Sequence, residues 1–199
     1  MQGHPHTRPL ILSAGFPCQQ ASTANSYDGS GIEGAQTGLV WEALRIVDEL
    51  EPEYLFLENV AGIVTRDRGW GEIVRALAER GYCTWYRTVS ASSYGYPFKG
   101  ERLLGVAFSP AYGLGLEAVE FFDSLFVEES KSAVQQHLTR EVGSLLEPEN
   151  YGRLVADDNG LPPQLVGLRL HAIGNSIQPV FSEIIFKTIK AFHETVIAA

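Results

Sequence analysis

The stretch Leu10-Ile-Leu-Ser-Ala-Gly-Phe-Pro-Cys-Gln-Gln-Ala-Ser22 constrains the fold of this chain most. Its first half is a short apolar run of the kind that forms a buried strand. Gly15, Phe16 and Pro17 then break the strand, and Cys18 falls on the turn. A residue just past the carboxyl end of a strand lies where open α/β sheets collect their ligands. A cysteine there is either a small packed hydrophobe or a nucleophile, and its neighbours favour the second.

Beyond that turn, helix and strand patterns alternate along the chain. Ser22 to Gly38 is rich in Ser, Gly, Asn and Thr and reads as a long loop, the length that functional lids take. Leu39, Val40, Ala43, Leu44, Val47 and Leu50 recur at helical spacing until Pro52 closes the helix. Tyr54 to Glu58 is a second buried strand, with Glu58 and Asn59 at its carboxyl edge. Trp70, Ile73, Val74 and Leu77 mark a helix that Gly81 terminates. Tyr82 to Ser90 and Arg102 to Phe108 read as strands that pair as an antiparallel hairpin around the turn-rich Ser92 to Gly100. Leu116 to Leu146 is helical but poorly periodic. The last helix carries Ile177, Val180, Phe181, Ile184, Ile185 and Ile189 on one face.

The expected fold is therefore α/β, with each candidate site residue just past a strand. Cys83, Trp70 and Trp85 read as core, and His171 as a packing or surface residue. His4 and His6 have no third ligand near in sequence, so no metal is expected. Two cysteines, Cys18 and Cys83, make no disulfide framework, which points to the reducing cytoplasm. Neither a signal peptide nor an apolar run long enough to span a membrane is read in the sequence. The net charge of −9 argues against a general nucleic-acid coat, but leaves room for a DNA enzyme with a local basic cleft.

Four segments, in order, resemble the motifs of the DNA cytosine-5 methyltransferases. Gly15-Phe-Pro-Cys-Gln19 resembles the Pro-Cys-Gln motif, and Leu57-Glu-Asn-Val60 the Glu-Asn-Val motif. Ser90 to Pro97 followed by Glu101-Arg102 resembles the arginine-bearing segment. Gly174-Asn-Ser-Ile-Gln-Pro179 resembles the closing Gly-Asn motif. The resemblance implies a partial Rossmann-like methyltransferase sheet with flanking helices, plus a small, mostly helical insertion. It divides the chain into a catalytic α/β portion at 1–109, a reduced target-recognition-like insertion at 110–160, as in phage and prophage members, and a returning segment at 161–199.

By the same resemblance, Cys18 is the nucleophile that adds to cytosine carbon 6. Glu58 serves the ring nitrogen N3, Arg102 donates to the base carbonyl, and Asn59 orients the active-site loop. Pro17, Gln19 and Ser22 would touch the substrate, while Leu39, Asn175, Ser176 and Ile177 would line the site of S-adenosylmethionine. Double-stranded DNA is the implied partner, with the target base flipped out. The chain departs from the pattern where Phe98 and Gly100 replace a glutamine and an arginine, and where Gln36 replaces an arginine. It also lacks the Phe-x-Gly-x-Gly turn that holds the cofactor, so the Cys18 strand should present an unpaired edge. Two functional readings result. One is a methyltransferase, either a split enzyme completed by a complementary chain or a fragment of a longer gene; the other is an inactive remnant that binds DNA or a partner protein.

Overall fold

In a computed structural model, the described residues are 9–16, 39–65, 69–96, 100–140 and 177–197. The chain forms two compact units: Met1–Val89 with Glu101–Ser124 and Phe192–Ala199, and Ser90–Gly100 with Leu125–Ala191. The first holds a four-stranded sheet of β1 (Ile11–Gly15), β2 (Tyr54–Val60), β3 (Cys83–Val89) and β4 (Arg102–Phe108), in the order β1-β2-β4-β3. β1 runs parallel to β2, while β4 is antiparallel to both β2 and β3. The expected α/β class and the β3–β4 antiparallel pairing are both present, and the sheet as a whole is mixed.

Helix α1 (Leu39–Leu50) connects β1 to β2, as a parallel crossover requires. The single turn α2 (Gly62–Thr65) and helix α3 (Trp70–Glu79) connect β2 to β3. α1 packs over β1 and α3 over β3. Their apolar stripes, Val40, Leu44 and Val47 with Trp70, Ile73 and Leu77, meet Leu55, Leu57, Leu103 and Ala107 in one core. At the end of α3, Gly81 adopts φ +80°, and the amides of Arg80 and Gly81 return to the carbonyls of Leu77 and Ala78.

Gly105 on β4 matters for a steric reason. A Cβ there would stand 2.7 Å from Trp70 Cη2, so the indole lies against bare backbone. The other face of the sheet is aromatic. Phe108, Phe122 and Phe192 have ring centroids 5.2 to 5.5 Å apart, and Trp85 stacks edge-on to Phe122 at 5.0 Å. Trp85 Nε1 also donates to Asp123 Oδ1 at 2.9 Å. Trp70 and Trp85 are thus core residues, as expected.

Cys83 departs from expectation. It opens β3 instead of sitting mid-strand and is only half-buried, with partial desolvation pushing its thiol pKa up.

The long helix α4 (Leu116–Arg140) and α5 (Pro179–Phe192) follow, and α5 continues into a π-helical turn at His193–Ile197. Within the second unit, Tyr94 stacks on Phe181 at 5.2 Å and its hydroxyl donates to Ser130 Oγ at 3.1 Å. No helix among the described residues is long and apolar enough to cross a membrane.

Candidate active site

Glu58 and Asn59 lie in the last residues of β2, at its carboxyl edge as expected, with the strand running on to Val60 instead of ending at Glu58. Arg102 opens β4. Because β4 runs antiparallel to β2, its first residue comes to the carboxyl end of β2, with Val60 opposite Arg102 and Glu58 opposite Leu104. Glu58 and Arg102 are therefore diagonal neighbours on one face, within reach of long side chains. Arg102 Nε stands 3.1 Å from Glu58 Oε1. The guanidinium is held from behind as well, since its Nη1 donates to the Glu101 carbonyl at 3.1 Å.

This ion pair is largely desolvated. The side chains of Arg102 and Glu58 are only 7% and 18% exposed. Burial raises the Glu58 carboxyl pKa above its ordinary value, and the positive charge of Arg102 offsets that only in part. Burial thus makes Glu58 a carboxyl with a higher affinity for a proton than an exposed one, the property asked of a group that shares or transfers a proton at the sheet edge.

Asn59 points to the opposite side of the strand and is 2% exposed. Its Nδ2 donates to the carbonyl of Phe16 at 3.3 Å, and its Oδ1 accepts from the Val60 amide at 2.8 Å. Both halves of the amide are used, so the segment leaving β1 is tied to the end of β2. β1 itself runs alongside, with Gly15 opposite Glu58 in the parallel register. Phe16 is buried in the core between the two strands and α1.

Of the other residues singled out in the sequence, Leu39 opens α1 and is 52% exposed, while Ile177 is half-buried just before α5. Cys18, Pro17, Gln19, Ser22, Asn175 and Ser176 lie outside the described residues, as do His4, His6, Gln36, Phe98 and His171. Covalent geometry still limits Cys18. It is two residues beyond Phe16 and within about 7 Å of it, whatever path the chain takes.

Sequence reasoning did not identify Gly15 as a neighbour of Glu58 or the Phe16 carbonyl as the partner of Asn59. Their only signal was a place immediately before Pro17-Cys18, and strand register was needed to give it meaning.

A cavity of about 330 Å³ lies at the far end of the sheet, where Asp48, Arg80, Tyr82 and Ser109 line it. None of the candidate site residues touches it. The chemistry gathers instead at the carboxyl edge of β1 and β2, in keeping with where α/β sheets place ligands.

Over 106 residues the chain is 34% identical to the type II methyltransferase M.BsuFI of Bacillus subtilis, a match covering 52% of this chain and 25% of that protein. Over 100 residues it is 35% identical to the type II methyltransferase M.HhaI of Haemophilus parahaemolyticus, covering 49% of this chain and 30% of that protein. It thus spans less than a third of the length of either relative. The crystal structure of the S. pombe Dnmt2 methyltransferase superimposes with a TM-score of 0.38 at 20% identity, covering 51% of this chain and 31% of that one. Residues 5–160 match the model of the C-5 cytosine-specific DNA methylases, well over half of the sequence, and the chain belongs to that family.

Proposed function

We propose that this chain carries the nucleophile and the base-handling groups of a DNA cytosine-5 methyltransferase acting on a cytosine flipped out of double-stranded DNA. The observation that carries the reading is the Glu58 carboxyl: desolvated, held on one side by Arg102, and placed beside the strand that leads to Cys18.

The chemistry asks for this arrangement. Cytosine C5 is too weak a nucleophile to take a methyl group unaided. The Cys18 thiolate adds to C6, and the C5–C6 π electrons move into the ring as the Sγ–C6 bond forms. Negative charge then builds toward N3, where a proton from Glu58 relieves it and leaves an enamine whose C5 is nucleophilic. Arg102 lies within hydrogen-bonding reach of Glu58 and is placed to donate to the neighbouring base carbonyl. After C5 has gained a methyl group, loss of the C5 proton to a water base forms the C5=C6 bond and expels the thiolate, and the N3 proton returns to Glu58, which restores the aromatic ring. Asn59 serves by fixing Phe16, and so the start of the segment bearing Cys18. Pro17, Gln19 and Ser22 flank the base, and 110–160 serves as the target-recognition insertion.

S-adenosylmethionine supplies an electrophilic methyl group on a sulfonium. The resemblance assigns Leu39, Asn175, Ser176 and Ile177 to its site. They provide no carboxylate for the ribose and no cradle for the charged tail. We assign those contacts to a complementary chain that docks beside β1.

Two observations support that docking. β1 is the edge of the sheet and pairs only with β2 among the described residues. α1 also carries a second apolar stripe, Leu39, Ala43, Ile46 and Leu50, that is exposed or half-exposed. Its opposite flank is tied to α3, because Arg80 Nε and Nη2 donate to Asp48 at 2.7 and 2.9 Å. The apolar stripe lies on the flank of α1 away from that tie, a surface suited to being covered.

The test is transfer of labelled methyl from S-adenosylmethionine to mixed-sequence DNA, by the full chain alone and with a separately expressed glycine-rich cofactor chain. Cys18→Ala is the control. Transfer that needs the second chain and vanishes in the variant is the expected result. A cofactor-free assay isolates the first step: addition at C6 makes C5 basic, so tritium at C5 exchanges with solvent.

One observation favours the inactive-remnant reading. Gly100, where the family pattern has an arginine, has φ +46°, in the left-handed region that disfavours side chains. Absence of both exchange and complemented transfer would establish that reading.

A further inference from the structure

The two carboxyl oxygens of Glu58 have different surroundings. Oε1 faces Arg102 on β4, 3.1 Å from Nε. Oε2 faces β1, on the other side of β2: a Cβ placed on Gly15 would stand 3.5 Å from it. Gly15 is exposed at the end of β1, directly opposite Glu58 in the parallel register. One oxygen is therefore committed to a fixed cation. The other lies beside the bare backbone of Gly15.

We propose that Gly15 is a positioning residue: having no side chain, it leaves its own side of Glu58 Oε2 uncovered, so that Oε2 meets the pyrimidine ring while Oε1 stays with Arg102. The inference rests on the cytosine-methyltransferase reading for the identity of the ring, but the steric part concerns this chain alone. An alanine methyl at position 15 would reach ordinary van der Waals contact with Oε2 and partly cover it. The γ carbons of a valine would extend over the oxygen. Covering it has two consequences. The charged carboxylate loses water, which raises its affinity for a proton. A planar ring is also held off the 2.6–3.2 Å or so that proton transfer requires.

The experiment uses the full chain as wild type, Gly15→Ala and Gly15→Val, with glutamate labelled at the side-chain carboxyl carbon. The Glu58 resonance is assigned by its loss in Glu58→Gln and titrated by NMR. The expected midpoint rises from wild type through the alanine to the valine variant, by about 0.5 in pH or more for valine. An identical midpoint in all three overturns the inference. Should the valine variant fail to fold, the alanine variant decides by rising or not rising.

C5-tritium exchange on DNA without cofactor is the second readout, expected to fall in the same order and by about 100-fold for valine. Measurable exchange that is equal in all three variants also overturns the inference. If wild type does not exchange although the midpoints move, the methyltransferase reading fails while the control of Oε2 by Gly15 stands.

Discussion

Glu58 is a residue whose usefulness costs stability. Its pKa is raised in the folded state, so the native chain holds that proton more tightly than the unfolded chain, where the carboxyl titrates near 4.5. The stabilisation linked to the proton is fully present below that value and is lost as pH rises through the raised one. Glu58→Gln removes the titration. Its urea midpoint, compared with wild type, should improve as pH rises from about 4 to 7, and a difference independent of pH would contradict the desolvation. The same substitution should lower C5 exchange by about 10²- to 10⁴-fold, the scale of general-acid catalysis. Arg102→Met acts in the other direction on the same carboxyl. Without the guanidinium, the Glu58 titration midpoint should climb further, read by the same labelled-glutamate NMR. Geometry and charge thus make separate predictions at one pair of residues.

At the scale of elements, the site depends on three strands arriving together. β2 brings Glu58 and Asn59, β4 returns antiparallel to bring Arg102, and β1 runs parallel to place Gly15 and Phe16 alongside. Asn59 is the fastening between β1 and β2. Asn59→Ala leaves the Phe16 carbonyl and the Val60 amide without that partner, which should cost about 1–3 kcal/mol in urea unfolding. Exchange at C5 should fall beyond what the stability loss explains, because the segment carrying Cys18 loses its tether.

α3 is seated on β4 by a different device, the fit of Trp70 against Gly105. Gly105→Ala forces a methyl to 2.7 Å from the indole, so the ring or the helix must shift. About 1–3 kcal/mol of destabilisation is expected, with Trp70 fluorescence altered and the Glu58 titration little changed. The Asp48–Arg80 pair on the same side of the sheet is half-exposed, and Asp48→Ala should cost no more than about 1 kcal/mol.

For the molecule as a whole, β1 pairs only with β2 among the described residues and one flank of α1 is apolar and exposed or half-exposed, and the proposed complementary chain would cover both. Ile46→Glu places a charge in the middle of that flank, away from the core stripe of Val40, Leu44 and Val47. The substitution should leave the urea midpoint of the chain nearly unchanged and abolish complementation by the cofactor chain, measured as co-sedimentation and methyl transfer together. Retained complementation would move the docking surface elsewhere.

The sequence by itself determined the elements and the chemical groups. Helical spacing along Leu39 to Leu50 and Trp70 to Leu77, the apolar run before Gly15, and the motifs around Cys18, Glu58 and Arg102 are local patterns. Side-chain type and period suffice to read those. Which strands neighbour one another is decided by pairing between distant segments, and no local pattern encodes it. Only the tertiary structure turned Arg102 from the first residue of a strand into the partner of Glu58, set Gly15 opposite that carboxyl, and gave Asn59 the Phe16 carbonyl to hold. It alone revealed that Gly105 is small because Trp70 lies on it. The physical reason is the same in each case: register and burial belong to the assembled sheet, whereas propensity and chemistry belong to the residue.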